Sequence, residues 1–411
     1  MSAIKSMDAD ALTPSAVLRC IVSLAAAQLK KRANSFSDTP EQWDRQTRLY
    51  ASDTGTSLEA DSLTVMNLAI SVNTLFQIAD SGLEDGLLRA RTLGDWVDVV
   101  MRSREQGARA LAFTSSGSTG EPTLYRHEWA DLLEEIEELT PYLEVRLTAG
   151  IGRIVVGVPT HHIYGFLFGA LLPAVCDVPV VDGARAVLAI HAGRLSSHDL
   201  VIGFPWLWQM VADGPAEFPP SVVGLSSTGP LPGDIGPRLK NRGLRELIEI
   251  HGSSETAGIG WRDCPNRPYR LMDRWRRSHD DDCLVRCHDR ARSVAMPDRI
   301  EWVDENHYWP RGRSDHAVQV AGYNVYPDAI AQTIAAHPEV DQASVRLMRA
   351  GEGDRLKAYI VPSNESAEPA ALRRRIDDWC RDKRLTSAET PARITIGSML
   401  PRNTIGKLAD W

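Results

Sequence analysis

Two periods divide the chain. Up to about residue 105 the apolar positions recur at helical spacing, as in "PSAVLRCIVSLAAAQLKKRA" (residues 14–33) and "LGDWVDVVMRS" (residues 93–103), so helices are predicted there. From about residue 110 short apolar runs bounded by Gly and Pro take over: "ALAFTS", "GRIVVGVP", "VPVVDG", "LVIGFP", "VVGLSS" and "LIEIHG". Each has the length of a strand, and helix-like segments separate several of them. That alternation predicts an α/β fold, a largely parallel sheet with helices on its faces. Ligands of such sheets bind in the loops beyond the carboxyl ends of the strands. The loops that leave these runs are therefore the places to look for chemistry.

A second change comes near Gly312. Beyond it lie a helix-like "PDAIAQTIAAHP", two strand-like runs within "ASVRLMRAGEGDRLKAYIVP", and a helix-like "PAALRRRIDDWCRDKR". This is a compact α+β unit of about 100 residues, within domain size. Two domains are expected, 1–311 and 312–411.

Composition adds bounds. The 411 residues are 43% hydrophobic and 24% charged, which is ordinary for a soluble globular protein. A net charge of -8 argues against nonspecific nucleic-acid binding. Arg373, Arg374 and Arg375 are followed by Asp377 and Asp378, the pattern of a solvated helix face. Six cysteines are too sparse for a disulfide framework and suit reduced thiols in a cytoplasm. Cys283, Cys287 and His288 raise the question of zinc, but no second close ligand pair accompanies them, and "DCLVRCHD" reads more simply as a short strand. No signal peptide and no membrane-spanning run is read from the sequence.

The polar loops are of particular kinds. "TSSGSTGEP" follows "ALAF"; its glycines allow close backbone approach and its hydroxyls and amides can donate to phosphate oxygens. "STGPLP" follows "VVGLS", and "HGSSETAGIGWR" follows "LIEI". Taken alone, the first also fits a Ser/Gly-rich surface turn, and "SSET" fits a helix start.

In this order and with the C-terminal motifs, the sequence resembles the adenylate-forming acyl/aryl ligases, the acyl-CoA synthetases and aryl-CoA ligases such as 4-coumarate-CoA ligase among them. "TSSGSTGEP" matches that family's phosphate loop and "PTHHIYGFLFG" (residues 159–169) its acyl-pocket motif. "STGPLPG" (227–233) matches the adenine-side segment, and "HGSSET" (251–256) the Tyr-Gly-Ser-Thr-Glu-Thr motif. "GRSDHAVQVAGYNVYP" (312–327) matches the hinge region and "LPRNTIGK" (400–407) the terminal lysine motif. The resemblance covers about residues 105 to 411. It implies a large N-terminal domain with mainly parallel sheets and flanking helices, and a small mobile C-terminal domain.

The resemblance implies ATP-dependent activation of a carboxylic acid to an acyl-adenylate, then transfer to the thiol of CoA or of carrier-protein phosphopantetheine. By family position, Thr114, Ser115, Ser116, Gly117, Ser118, Thr119 and Gly120 would cradle phosphates. Ser227, Thr228, Gly229, Pro230, His251, Gly252 and Ser253 would bind the nucleotide, and Asp298 and Arg313 its ribose. Ser254 would donate to the α-phosphate, while Glu255, with Thr119, would hold Mg2+, a hard cation that prefers oxygen. Lys407 would bridge the α-phosphate and the attacking carboxylate. Asp315 would be the hinge.

Several positions depart from the family pattern. Thr123 stands where relatives usually carry a lysine, with Arg126 or His127 nearby as other sources of charge. Gln319 replaces a frequent lysine, and Ala329 and Ala331 replace two frequent glutamates at expected surface positions of a helix. His251 takes the place of the aromatic ring that stacks on adenine. These changes motivate a reading from another class, a non-catalytic acyl- or nucleotide-binding homologue; retention of Glu255, Asp298 and Lys407 argues against it.

The acyl-pocket motif lacks the aspartate of amino-acid-activating relatives, and His162, Ile163 and Tyr164 resemble the His-Ile-Tyr of hydroxycinnamate-CoA ligases. Tyr164 would either hydrogen-bond a ring substituent or wall the pocket. With Gly165, Phe204 and Trp206, and with Trp208 nearby, this favours an aromatic or short unsaturated acid. CoA and an acyl carrier protein stay open as acceptors, because both present the same thiol arm; with the chain running out just after Lys407, any carrier is expected to be a separate protein. The partners expected are thus a small carboxylic acid and one of these thiols, without nucleic acid or a membrane span.

Overall fold

The computed structural model describes residues 12–30, 40–51, 55–116, 122–278, 283–287, 293–313, 317–349, 351–364, 368–401 and 411. The first predicted helix is Pro14–Lys30. It buries Val17, Cys20, Ile21 and Leu24, spaced three and four apart, so one stripe faces the interior. It packs against Ser62–Phe76 and Leu93–Glu105. The latter begins with a capping box in which Thr92 accepts from the amide of Asp95 and the Asp95 carboxylate accepts from that of Thr92.

Among the described residues nine strands share one sheet. Five run parallel in the spatial order Val180–Val181, Arg153–Val156, Asp199–Gly203, Val223–Ser226, Glu246–Ser253. These are the apolar runs read from the sequence after residue 150. The sheet continues antiparallel through Ala257–Arg262 and Tyr269–Leu271 to His307–Arg313, with Asp298–Trp302 beside it. The periodicity reading missed this half. The connection from Ser253 to Ala257 is far too short for the crossover a parallel neighbour needs, so the chain turns back on itself. The "ALAFTS" run is the strand Ala110–Ser116, but it pairs with Pro122–Glu128 in a two-stranded sheet of its own.

Helices Gly183–His191, Pro205–Asp213 and Ile235–Lys240 bury their apolar faces in a cluster with Val155, Val201 and Leu247. Trp208 is fully buried there, and its indole N–H donates to the Leu225 carbonyl at 3.0 Å. The ring lies so close over Gly203 and Gly224 that a Cβ at either would stand 2.7 Å from it. Trp208 therefore fills the sheet–helix layer rather than flattening an acid pocket. Trp206, two residues on the other side of that helical turn, is exposed.

The chain forms two compact units, one of Met1–Thr114, Leu124–Met296 and Glu301–Trp309, and a second of Ser115–Thr123, Pro297–Ile300 and Pro310–Trp411. In the second unit Val318–Val320 and Tyr323–Val325 form a hairpin. Ala321 and Gly322 make its turn with φ of +50° and +84°, the left-handed pair that a two-residue hairpin requires. Val340–Leu347, Leu356–Pro362 and Arg393–Ile396 form a three-stranded sheet, the first pair antiparallel and the second parallel. Helices Pro327–Ala335 and Pro369–Asp382 pack on it through Ile330, Ile334, Leu372, Ile376 and Cys380. Arg373, Arg374 and Arg375 are exposed. Ala331 is not a surface position: it is half-buried and packs on this cluster, where a glutamate would lose hydration.

Candidate active site

Four neighbouring parallel strands deliver their following loops to one edge of the sheet. Register places Val156 beside Ile202, Gly203 beside Ser226, and Ser226 beside Glu249. Adjacent strands stand about 4.8 Å apart. The loop starting at Gly157, Phe204, the Ser227–Thr228–Gly229–Pro230 segment and the end of the Glu246–Ser253 strand therefore leave the sheet side by side.

"HGSSET" is not a helix start. It closes the long central strand and makes the tight turn into Ala257–Arg262. The Ser253 and Thr256 hydroxyls lie 3.0 Å apart; each also accepts the other residue's amide, at 3.3 and 3.2 Å, and Thr256 Oγ1 donates to the Ala257 carbonyl at 2.8 Å. This leaves Ser254 and Glu255 at the tip, both half-buried. His127 reaches the same tip: its Nε2 lies 2.8 Å from the Ser254 carbonyl and must carry the proton it donates. Burial holds the His127 pKa below its ordinary value, with Ser254 as a weaker opposing influence. A neutral His127 positions the turn and supplies no charge. Nor does Arg126 lend its charge here, because Asp80 at 2.8 Å and Gln77 at 3.0 Å hold its guanidinium.

A buried ion pair clamps the next strand. Arg274 Nη2 donates to Glu135 Oε2 and to the Gly258 carbonyl, both at 2.5 Å, and Nη1 donates to the Asp131 carbonyl at 2.9 Å. Glu135 Oε2 also accepts the Gly258 amide at 2.9 Å. Both side chains are essentially without solvent exposure. A Cβ on Gly258 would stand 2.3 Å from Glu135 Oε1, so glycine is required where carboxylate meets backbone. Arg286 adds contacts with Asp131 at 3.6 Å and Glu134 at 3.1 Å. Sequence reasoning missed this clamp, since "DLLEEIEEL" looks like an ordinary charged helix.

On the antiparallel side His251 is tied to Tyr308, with Nδ1 2.9 Å from the phenol oxygen. Tyr269 and Tyr308 stack 5.9 Å apart, and His251 stands 5.4 and 5.5 Å from them. Arg262 makes a two-pronged bond to Glu249 at 2.8 Å per prong, and the Tyr269 hydroxyl donates to the same carboxylate at 3.1 Å. The imidazole of His251 is thus one member of an aromatic wall with a fixed orientation.

The Ser227–Pro230 segment has two unusual features. Thr228 has φ of +76°, an uncommon conformation for a β-branched residue, and its buried Oγ1 has no hydrogen-bond partner among the described residues. The buried Ser226 hydroxyl beside it is in the same condition.

The acyl-pocket motif begins as a turn at Thr160–His162 and continues as the helix Ile163–Phe166 and a π-turn over Leu167–Leu171. Gly165 is packed against the turn: a Cβ there would stand 2.0 Å from the Pro159 carbonyl oxygen. Tyr164 is buried beside Phe168, with ring centroids 5.4 Å apart. Its hydroxyl has no hydrogen-bond partner among the described residues, and burial alone pushes its pKa well above 10. Phe204 and Trp206 stack at 6.0 Å and 24° at the start of the helix Pro205–Asp213.

Thr114 is exposed where the buried run Ala110–Phe113 of its strand ends, and the backbones of Ser115 and Ser116 continue the strand. Gly117, Ser118, Thr119, Gly120, Asp315 and Lys407 lie outside the described residues, as does His288. Asp298 opens one strand and Arg313 closes the strand beside it. Gln319 sits in the 318–325 hairpin, where its amide donates to Asn324. Among the described residues no group of three potential metal ligands occurs. No described helix is long and apolar enough to cross a membrane.

Comparison with known proteins supplies the context for this geometry. Residues 329–407 match the AMP-binding enzyme C-terminal domain. The chain is 35% identical over 398 residues to a 4-coumarate--CoA ligase of Halorhodospira halophila, covering 95% of this chain and 98% of that protein. It is 34% identical over 357 residues to a 4-coumarate--CoA ligase of Cereibacter sphaeroides, covering 86% and 84%. Among solved structures, an amide bond synthetase from Marinactinospora thermotolerans superposes with a TM-score of 0.60 at 14% identity, covering 95% of this chain and 92% of that one. That likeness concerns the fold.

Proposed function

The chain belongs to the adenylate-forming acyl/aryl-CoA ligases, enzymes that join an acid to a thiol, and we propose that its acid is an aromatic or short unsaturated carboxylate, a hydroxycinnamate of the 4-coumarate type first among them, and its acceptor CoA. One observation carries the choice of acid. The Tyr164 hydroxyl is buried on the acyl-pocket motif without a partner among the described residues. A buried phenol in that condition costs stability, of order 1–3 kcal/mol, unless a ligand completes it. A ring hydroxyl on the acid would do so. The names of the relatives support the same class.

In the proposed mechanism an oxygen of the acid attacks the α-phosphorus of ATP. The new C–O–P linkage forms as the bond to the bridging oxygen breaks, and pyrophosphate leaves. The nucleotide would lie along Thr228 and the His251 wall, with Asp298 and Arg313 at the ribose. Ser254, held at the turn by His127, donates to the α-phosphate, and the phosphate loop cradles the leaving oxygens. Lys407 spans carboxylate and phosphate as charge accumulates between them. Glu255 offers a carboxylate to Mg2+, which when bound offsets the repulsion between two anions. The CoA thiolate then attacks the acyl carbon, and AMP departs. Domains of 1–311 and 312–411, turning about Asp315, and a cytoplasmic setting complete the proposal.

Pyrophosphate exchange across cinnamic, benzoic and aliphatic acids tests it, with CoA thioester formation as second readout. Hydroxycinnamates should support exchange best and yield thioester with CoA as sole acceptor. Exchange confined to long aliphatic acids, or adenylate that CoA does not discharge, would overturn the reading.

A further inference from the structure

The helix Pro14–Lys30 lies outside every motif described above, yet it holds the acyl-pocket motif in place. Arg19, Cys20 and Ser23 share one of its faces. Arg19 Nη1 donates to the Gly169 carbonyl at 3.0 Å, inside the π-turn whose hydrogen-bond ladder is irregular. The Cys20 thiol, fully buried and with its pKa pushed up to about 12 by burial, donates to the Thr160 carbonyl at 3.4 Å. Ser23 Oγ accepts the Thr160 amide at 3.1 Å and lies 2.8 Å from His161 Nδ1. The Thr160 hydroxyl donates back to the Arg19 carbonyl at 3.1 Å.

This face is more than helix packing. The Ser23 oxygen takes the Thr160 amide and has a second position for His161 Nδ1, whichever of the two carries the shared proton. At 2.8 Å that contact fixes the orientation of the imidazole ring. His161 in turn lies 4.3 Å, centroid to centroid, from His162, the residue that leads into the buried turn carrying Tyr164. A backbone amide and a ring orientation are thereby set by one hydroxyl on a distant helix.

We propose that Ser23 is a positioning residue for acid recognition, which holds His161 and the Thr160 backbone so that His162 and Tyr164 face the acid. This rests on the reading of residues 159–169 as the acid pocket. Ser23→Ala should raise the KM for the acid about 5-fold, the size of one lost hydrogen bond, while the KM for ATP and kcat stay within about 2-fold. Ser23→Thr should restore it. His161→Leu reports the same bond from its other side, and the double variant should be no worse than the more impaired single one. Equal rises in the KM of acid and ATP, additive effects in the double variant, or a lowered Tm without any change in acid KM would overturn the proposal. Tyr164→Phe, run alongside, separates the two claims. If Tyr164→Phe alters acid preference and neither Ser23→Ala nor His161→Leu shifts acid KM, the positioning role fails and the pocket stands. If none of the three variants has an effect on the acid, both fail.

Discussion

His127 and Ser254, 127 positions apart in the sequence, meet through a 2.8 Å bond from imidazole Nε2 to the backbone carbonyl. The bond joins the strand that follows the phosphate loop to the turn that presents Ser254 and Glu255. His127→Ala should destabilise the protein by about 1 kcal/mol, because it takes the partner from a half-buried carbonyl. Its adenylation rate should fall further than that loss predicts. His127→Gln should recover part of both, read by pyrophosphate exchange and thermal melts.

The same histidine predicts a pH response. Its folded pKa lies below the ordinary value of 6.5, so the unfolded chain takes up the proton first. The stability it contributes is complete above about pH 6.5 and drains away as pH falls toward the folded pKa. Melting midpoints measured from pH 7 to 5 should therefore decline less steeply in His127→Gln. Parallel slopes would assign the acid sensitivity to other groups.

The Arg274–Glu135 pair should be intolerant of halving. Glu135→Ala leaves a buried guanidinium with backbone partners only, and a loss of about 3–5 kcal/mol is expected in denaturant titrations. A well-packed apolar pair at both positions should recover much of that loss.

Tyr164→Phe removes a buried hydroxyl with no partner among the described residues. Stability should stay level or rise by up to about 1 kcal/mol. The KM for a para-hydroxylated cinnamate should rise, and that for unsubstituted cinnamate should not. Identical behaviour toward the two acids would make Tyr164 a wall of the pocket only.

Lys407→Ala should nearly abolish adenylate formation and leave thioester formation from supplied acyl-adenylate largely intact. Equal loss in both half-reactions would remove the role given to it. Thr123 is exposed, and Thr123→Lys should alter pyrophosphate exchange only modestly.

Much of this molecule was legible before folding was considered. The helices at 14–30 and 93–105, the five parallel strands and the elements of the C-terminal unit follow from local periodicity and Gly/Pro punctuation. The order of the loop motifs carried the resemblance to the adenylate-forming ligases, which implies the chemistry. Trp208 shows the limit of that reading. Its neighbours in sequence suggested a pocket, and the glycines at 203 and 224 that receive its ring lie on two different strands.

The sequence alone determined the helices of the N-terminal region, the five parallel strands, the two-unit organisation it predicts and the residue types expected to meet the ligand. Tertiary structure decided what holds them: Ser23 on His161 across 138 positions, Arg274 on Glu135 across 139, His127 on Ser254. Periodicity reports only which face of an element is apolar, and a single serine, glutamate or histidine leaves no trace in it. Such groups gain meaning when the sheet brings distant segments within hydrogen-bond range and burial removes the water that would otherwise satisfy them.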